Sequence, residues 1–222
     1  IEKVMLGPER KSHLMTRKQK RLTAYHEVGH ALVTSILPHA DPVHKISIIS
    51  RGRAAGYSLK LPFEDTKRQS RKEFLDDIAG TLGGYVAEEM VFGDVTTGPS
   101  NELAVITALA RDMVSRYGRS ERVGPVAFAT DHSDRNETYS QDIAAKIDEE
   151  VTRIIEEAKE SARKVLTEHR AALEMIAEKL VEVETLERDE FEKLLILNGI
   201  TPKQKEEEDP ITIAEDLKAR AE

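Results

Sequence analysis

The sequence has 222 residues, a net charge of −8, 33% charged and 5% aromatic residues, and no cysteine. That length holds one large domain or two small ones with a sizeable core, and without cysteine there are no disulfides and no thiolate metal site, so any zinc must be held by His and carboxylate. The acidic balance argues against nucleic acid as a partner, because the Lys18, Lys20 and Arg21 cluster is short and reads as the solvated start of a helix. High charge without cysteine is compatible with a thermophilic source. No apolar run approaches the roughly 20 residues that cross a bilayer, and no signal peptide is present. A chain beginning at Ile1 is expected to be a fragment or a processed product.

Residues 1–15 read as a connector, broken at Gly7-Pro8. Thr16 then suits an N-cap, and a helix is predicted from Arg17 to Leu37, stopped by Pro38. It carries Tyr25-His26-Glu27-Val28-Gly29-His30. At about 100° per residue, His26 and His30 lie only about 40° apart around the helix and one turn apart along it, close enough to share a metal ion. Glu27 is rotated by about 100° from His26, so it flanks the pair. Zinc lowers the pKa of a water it binds to roughly 7, and a carboxylate beside it can take a proton and pass it to a leaving amine. This is the metalloprotease arrangement. The competing reading is an amphipathic helix with two histidines on a polar edge. Against it, the flanking Tyr25, Val28, Ala31, Leu32, Val33 and Ile36 bury the helix, and Gly29 implies a close approach between the histidines.

Beyond Asp41-Pro42, Val43 to Ile49 alternates as a strand, Gly52 and Gly56 bracket a turn, and Tyr57 to Leu61 is its hairpin partner. A helix is predicted from Ser70 to Phe92, with Gly80, Gly83 and Gly84 permitting close packing. Thr96 to Asn101 is a turn ending in capping residues, followed by a helix from Glu102 to Tyr117. Val126 to Phe128 suits a short edge strand, and Asp131 to Thr138 is polar. Three helices follow, from Ser140 to Thr167, Arg170 to Val181 and Arg188 to Leu197, the last ended by Asn198-Gly199. Residues 201–222 form a charged linker and tail, which leaves 1–200 as one domain. The expected fold is mostly α, with one small hairpin or sheet beside the histidine helix.

A catalytic zinc usually has three protein ligands and one open position. Spacing leaves Glu88, Glu89, Asp94 and Glu102 as candidates for the third, and Glu102 could equally be a carboxylate complementing a helix dipole.

Arg21 to Ala31, spanning the His-Glu-Val-Gly-His motif, resembles the peptidase domain of the FtsH family, membrane-anchored ATP-dependent zinc metalloproteases. Five other stretches are similar in the same order: Gly7 to Ser12, Arg51 to Gly56, Ala87 to Gly93, Thr96 to Asn101 and Gly118 to Pro125. The resemblance covers roughly residues 1–200. It implies zinc held by His26, His30 and Glu102, with Glu27 as general base. The family has Asp where this chain has Glu102, one methylene longer, so the backbone there is expected to sit slightly further from the metal. Glu88 and Glu89 are then expected to support packing or to orient the ligands.

Lys45, Ile46, Ser47, Ile48 and Ile49, with the turn at Gly52 and Gly56, are expected to form an edge to which an extended substrate adds by main-chain pairing. The chain has no Gly-x-x-x-x-Gly-Lys-Ser/Thr loop, so ATP enters only through an ATPase module expected before Ile1. The resemblance further implies unfolded or misfolded polypeptide substrates, a homohexameric ring, and a bacterial location on the cytoplasmic face of the inner membrane, reached through N-terminal segments outside this chain. The alternative reading is a catalytically weak helical oligomerisation module with a structural metal site, motivated by the longer Glu102 and the amphipathic helices.

Overall fold

The computed structural model describes residues 15–50, 56–60, 69–129 and 139–203. Six helices and a three-stranded sheet run in the order α1 (Arg17–Ile36), β1 (Val43–Ser47), β2 (Tyr57–Lys60), α2 (Arg71–Phe92), α3 (Ser100–Ser115), α4 (Gln141–Glu168), α5 (Arg170–Val183), β3 (Thr185–Glu187) and α6 (Arg188–Leu197). The expected mostly α architecture with a small sheet is the one observed. Among the described residues, no helix is long and apolar enough to cross a membrane. The connector at residues 1–14, Gly52, the polar stretch Asp131 to Thr138 and the tail from residue 204 lie outside the described residues.

The centre of the fold is α1. A capping box starts it: Thr16 Oγ1 accepts from Gln19 N at 3.2 Å while Gln19 Oε1 accepts from Thr16 N at 2.9 Å. Every residue from Thr23 to Ser35 is buried. A helix covered on all sides needs neighbours on all sides, and α2, α4, α5 and β1 supply them. The contact with α2 is backbone on backbone. A Cβ added to Gly29 would stand 2.5 Å from the Gly83 carbonyl oxygen and 2.6 Å from Ala87 Cβ. The close approach implied by Gly29 is therefore made by the second helix.

Ser70 and Glu73 form a second capping box at the start of α2, and Gly93 ends it with a left-handed φ of 69°. Helix α3 begins earlier than expected. Pro99 precedes it, and Ser100 and Asn101 belong to its first turn instead of capping it; Ser100 Oγ donates to Thr97 O at 2.7 Å. Val126 to Phe128 forms no strand. Phe128 N and Ala129 N both donate to Ser115 O, at 2.7 and 3.1 Å, so the segment satisfies the end of α3.

The sheet order is β2-β1-β3, all antiparallel. Ile46 stands opposite Ser58 on one side and Leu186 on the other. Strand β1 is thus the middle strand, shorter than expected, and Lys45 to Ile49 offers no edge. Ile46, Ser47 and Ile48 are buried, and Ile48 N donates to Glu184 O at 3.0 Å. The two edge strands are β2 and β3. The C-terminal end of α1 is closed by the end of the described chain, where Lys203 Nζ donates to Thr34 O at 2.7 Å and also to Ala40 O.

Gly29→Ala should force α1 and α2 apart and lower stability by about 1–3 kcal/mol. Urea denaturation should show the midpoint falling with an unchanged slope.

Candidate metal centre

Two turns of α1 present the imidazoles of His26 and His30 to one point. Their Nε2 atoms are 3.0 Å apart, with the rings nearly perpendicular at 87°. Each ring is fixed through its other nitrogen. His26 Nδ1 donates to Glu88 Oε1 at 2.8 Å and His30 Nδ1 donates to the Gly80 carbonyl at 3.0 Å. Both partners come from α2, so the close crossing of the two helices sets the tautomers and leaves the Nε2 lone pairs facing inward. A Cβ on Gly84 would stand 2.5 Å from His30 Nε2 and 2.6 Å from His26 Cε1, so only glycine lets α2 pass behind the rings.

Glu102 arrives from the first turn of α3, placing Oε1 3.1 Å from His26 Nε2 and 3.4 Å from His30 Nε2. Ligand atoms bound tetrahedrally at about 2.0–2.1 Å from one ion lie roughly 3.3 Å apart. The candidate ligand atoms of the three side chains all lie within 4.8 Å of one another, and Glu102 Oε2 is buried with no hydrogen-bond partner among the described residues. Two imidazole nitrogens, a carboxylate and an orphaned buried oxygen fit a divalent zinc-like ion.

Glu88 links the parts. Its Oε2 accepts from Thr96 N at 2.9 Å, and Thr96 Oγ1 accepts from Gly98 N at 3.1 Å, so the turn that delivers Glu102 is pinned to the carboxylate that orients His26. Glu89 points away, pairing with Arg163 and with Lys159 at 3.6 Å on α4. Asp94 accepts from Val95 N at 2.8 Å on the exposed surface. Neither joins the cluster. The structure thus brings Glu102, and neither Glu89 nor Asp94, to the two histidines, and sets Glu88 against His26 Nδ1. The parts of Thr96 and of the Gly80 carbonyl were not read from the sequence: one acts through its backbone N–H, the other through its backbone oxygen.

Glu27 is buried on the wall of a cleft of about 650 Å³ that it shares with His26, Glu88 and Glu102. Gly56 lies against it, where a Cβ would be 2.8 Å from Glu27 Oε1. Burial pushes the Glu27 carboxyl up, partly offset by the charges of His26 and His30. Burial disfavours the charged form of His26, but hydrogen bonds to Glu102 and Glu88 and the charge of Glu27 outweigh it and raise its pKa to about 10. Glu102, whose burial acts in the opposite direction, is held well below the usual carboxylate range by the two imidazoles. Without metal, the site therefore keeps a proton where a cation would sit.

The model of peptidase family M41 matches residues 13–194. The chain belongs to peptidase family M41. Similar relatives are named ATP-dependent zinc metalloprotease FtsH: 48% identity over 203 residues with the FtsH 1 of Conexibacter woesei, covering 88% of this chain and 31% of that protein. The Thermotoga maritima protein is 45% identical over 204 residues, covering 88% and 33%, and the Veillonella parvula protein 41% identical over 222 residues, covering 96% and 34%. This M41 chain spans about a third of the length of the curated relatives it matches. A relative in Symbiobacterium thermophilum, 46% identical over 204 residues, accords with the expected thermophilic source.

Two outcomes are expected at this M41 site. Glu88→Gln should weaken zinc affinity by roughly 10–100-fold with the fold intact, measured by competition with a chromophoric chelator. In chelator-treated protein, nitrogen NMR of the imidazoles should show His26 doubly protonated beyond pH 8, since its pKa is about 10. Its contribution to the stability of the metal-free fold is complete below the ordinary value of 6.5 and is lost as pH rises through about 10.

Proposed function

We propose that this chain is the zinc-dependent endopeptidase module of an ATP-dependent protease, with His26, His30 and Glu102 holding the metal and Glu27 serving as general base. The observation that carries this reading is the meeting of three donor atoms within 4.8 Å beside a buried carboxylate in an open cleft. Zinc, when bound, supplies a Lewis acid that acidifies water and polarises a peptide carbonyl. The chain's own residues do the rest. Glu27 takes a proton from the attacking water as its oxygen adds to the carbonyl carbon. When the carbon–nitrogen bond breaks, Glu27 passes that proton to the departing amine. Burial raises its pKa, which makes its carboxylate a stronger base than an exposed one would be. Glu88 and the Gly80 carbonyl hold the imidazoles in place.

Of the two edge strands, β2 is the one that begins next to Gly56, which lies against Glu27. It is the element of the sheet beside which an extended substrate can lie with its scissile bond at the centre. Recognition through the main chain suits unfolded or misfolded polypeptides of varied sequence. In this reading the module self-associates as a homohexamer, and the ATPase module and attachment at the cytoplasmic face of a bacterial inner membrane belong to the full-length protein. A purely structural metal is disfavoured by Glu27, because a base buried in the same cleft serves no ligand.

Glu27→Gln should lower casein hydrolysis by about 10²–10⁴-fold while leaving zinc content and helical circular dichroism at parental values. Cleavage at the parental rate would refute the role given to Glu27.

A further inference from the structure

The carboxylates of Glu88, Glu102 and Glu150 meet their partners differently. Glu88 has both oxygens engaged, one by His26 Nδ1 at 2.8 Å and the other by Thr96 N at 2.9 Å. Glu150 is likewise complete: Arg153 donates to each of its oxygens at 2.7 Å, and Ser120 Oγ donates to Oε1 at 2.8 Å. Glu102 is the exception. Its Oε1 faces the two Nε2 atoms at 3.1 and 3.4 Å, while Oε2 is buried and has no hydrogen-bond partner among the described residues. This second carboxylate oxygen is out of water, with no donor among the described residues to meet it. A buried group of this kind is paired, hydrogen-bonded or bound to metal.

We propose that Glu102 binds the metal through both carboxylate oxygens, so that His26, His30 and Glu102 provide four donor atoms from three side chains. The inference rests on the metal-site reading above and goes beyond it in the number of donors. One oxygen already stands at ligand spacing from both imidazole nitrogens, and its twin on the same carboxylate is out of water and unclaimed among the described residues. Four protein donors leave a fifth position for water or a substrate carbonyl. That makes the site more tolerant of divalent ions that take five or six nitrogen and oxygen donors than a centre with three protein donors.

The test is difference infrared spectroscopy of the parent chain and its Glu102→Gln variant, each with and without saturating Zn2+, with bound zinc counted on the same samples. Chelation by both oxygens narrows the separation between the antisymmetric and symmetric carboxylate stretches relative to the free ion, whereas binding through one oxygen widens it. A narrowed separation on zinc binding in the parent, absent from zinc-loaded Glu102→Gln, is expected. A widened separation would overturn the two-oxygen inference and leave the metal site standing. A narrowed separation persisting in the variant would assign the signal to another carboxylate and overturn it as well. Failure of the parent to take up zinc at all would overturn the metal-site reading, and this inference with it.

Discussion

Everything at the centre depends on how closely α1 and α2 cross. Gly29 and Gly83 remove the side chains that would separate the helices, and the backbone of one rests on the backbone of the other. Only at that separation can the Gly80 carbonyl reach His30 Nδ1 and the Glu88 carboxylate reach His26 Nδ1. A glycine in a helix interior costs roughly 1 kcal/mol relative to alanine. Here that cost is offset by the burial of α1 and by two imidazoles fixed in tautomer and direction.

The electrostatic consequence follows from the packing. Glu27, Glu88 and Glu102 surround two histidines in a largely buried site. Desolvation alone would make such a concentration of carboxylates unfavourable. The imidazoles answer it in the metal-free chain by holding a proton, and a divalent ion answers it more completely. Stabilising the fold and attracting the metal are therefore one interaction seen at two loadings. As pH rises the proton is released and metal binding gains, which is the linkage expected where ligands must be deprotonated.

Much of this was legible in the sequence because local chemistry and tertiary packing agree there. Thr16 and Ser70 are followed three residues later by Gln19 and Glu73, and both helix starts lie where those capping boxes put them. The spacing of His26 and His30 gave the shared face, because four residues bring a helix round by little more than a turn. The misses have one character. Strand β3 is three residues long with one buried apolar side chain, Leu186, too short to show alternation. Without it, β1 looked like an edge and is the middle of the sheet. Val126 to Phe128 has strand-forming residues, but its backbone groups are used to finish α3. Thr96 is engaged through its backbone N–H, which any residue but proline would provide. Pairing partners distant in sequence decided each of these cases, and no local pattern encodes them.

The position of β3 bears on how the chain acquires its shape. The sheet is completed by residues 185–187, and the Thr34 carbonyl in the last turn of α1 is met by Lys203, more than 160 residues after it. The helix that carries both histidines thus cannot be finished when it is first made. Its completing neighbours lie more than 160 residues further along the chain, and closing so long a loop is the slow, entropically expensive part of forming non-local contacts. Until that closure the histidines lack their settled surroundings. The three donor side chains of the candidate metal centre therefore reach their settled surroundings only once contacts spanning most of the described chain have formed.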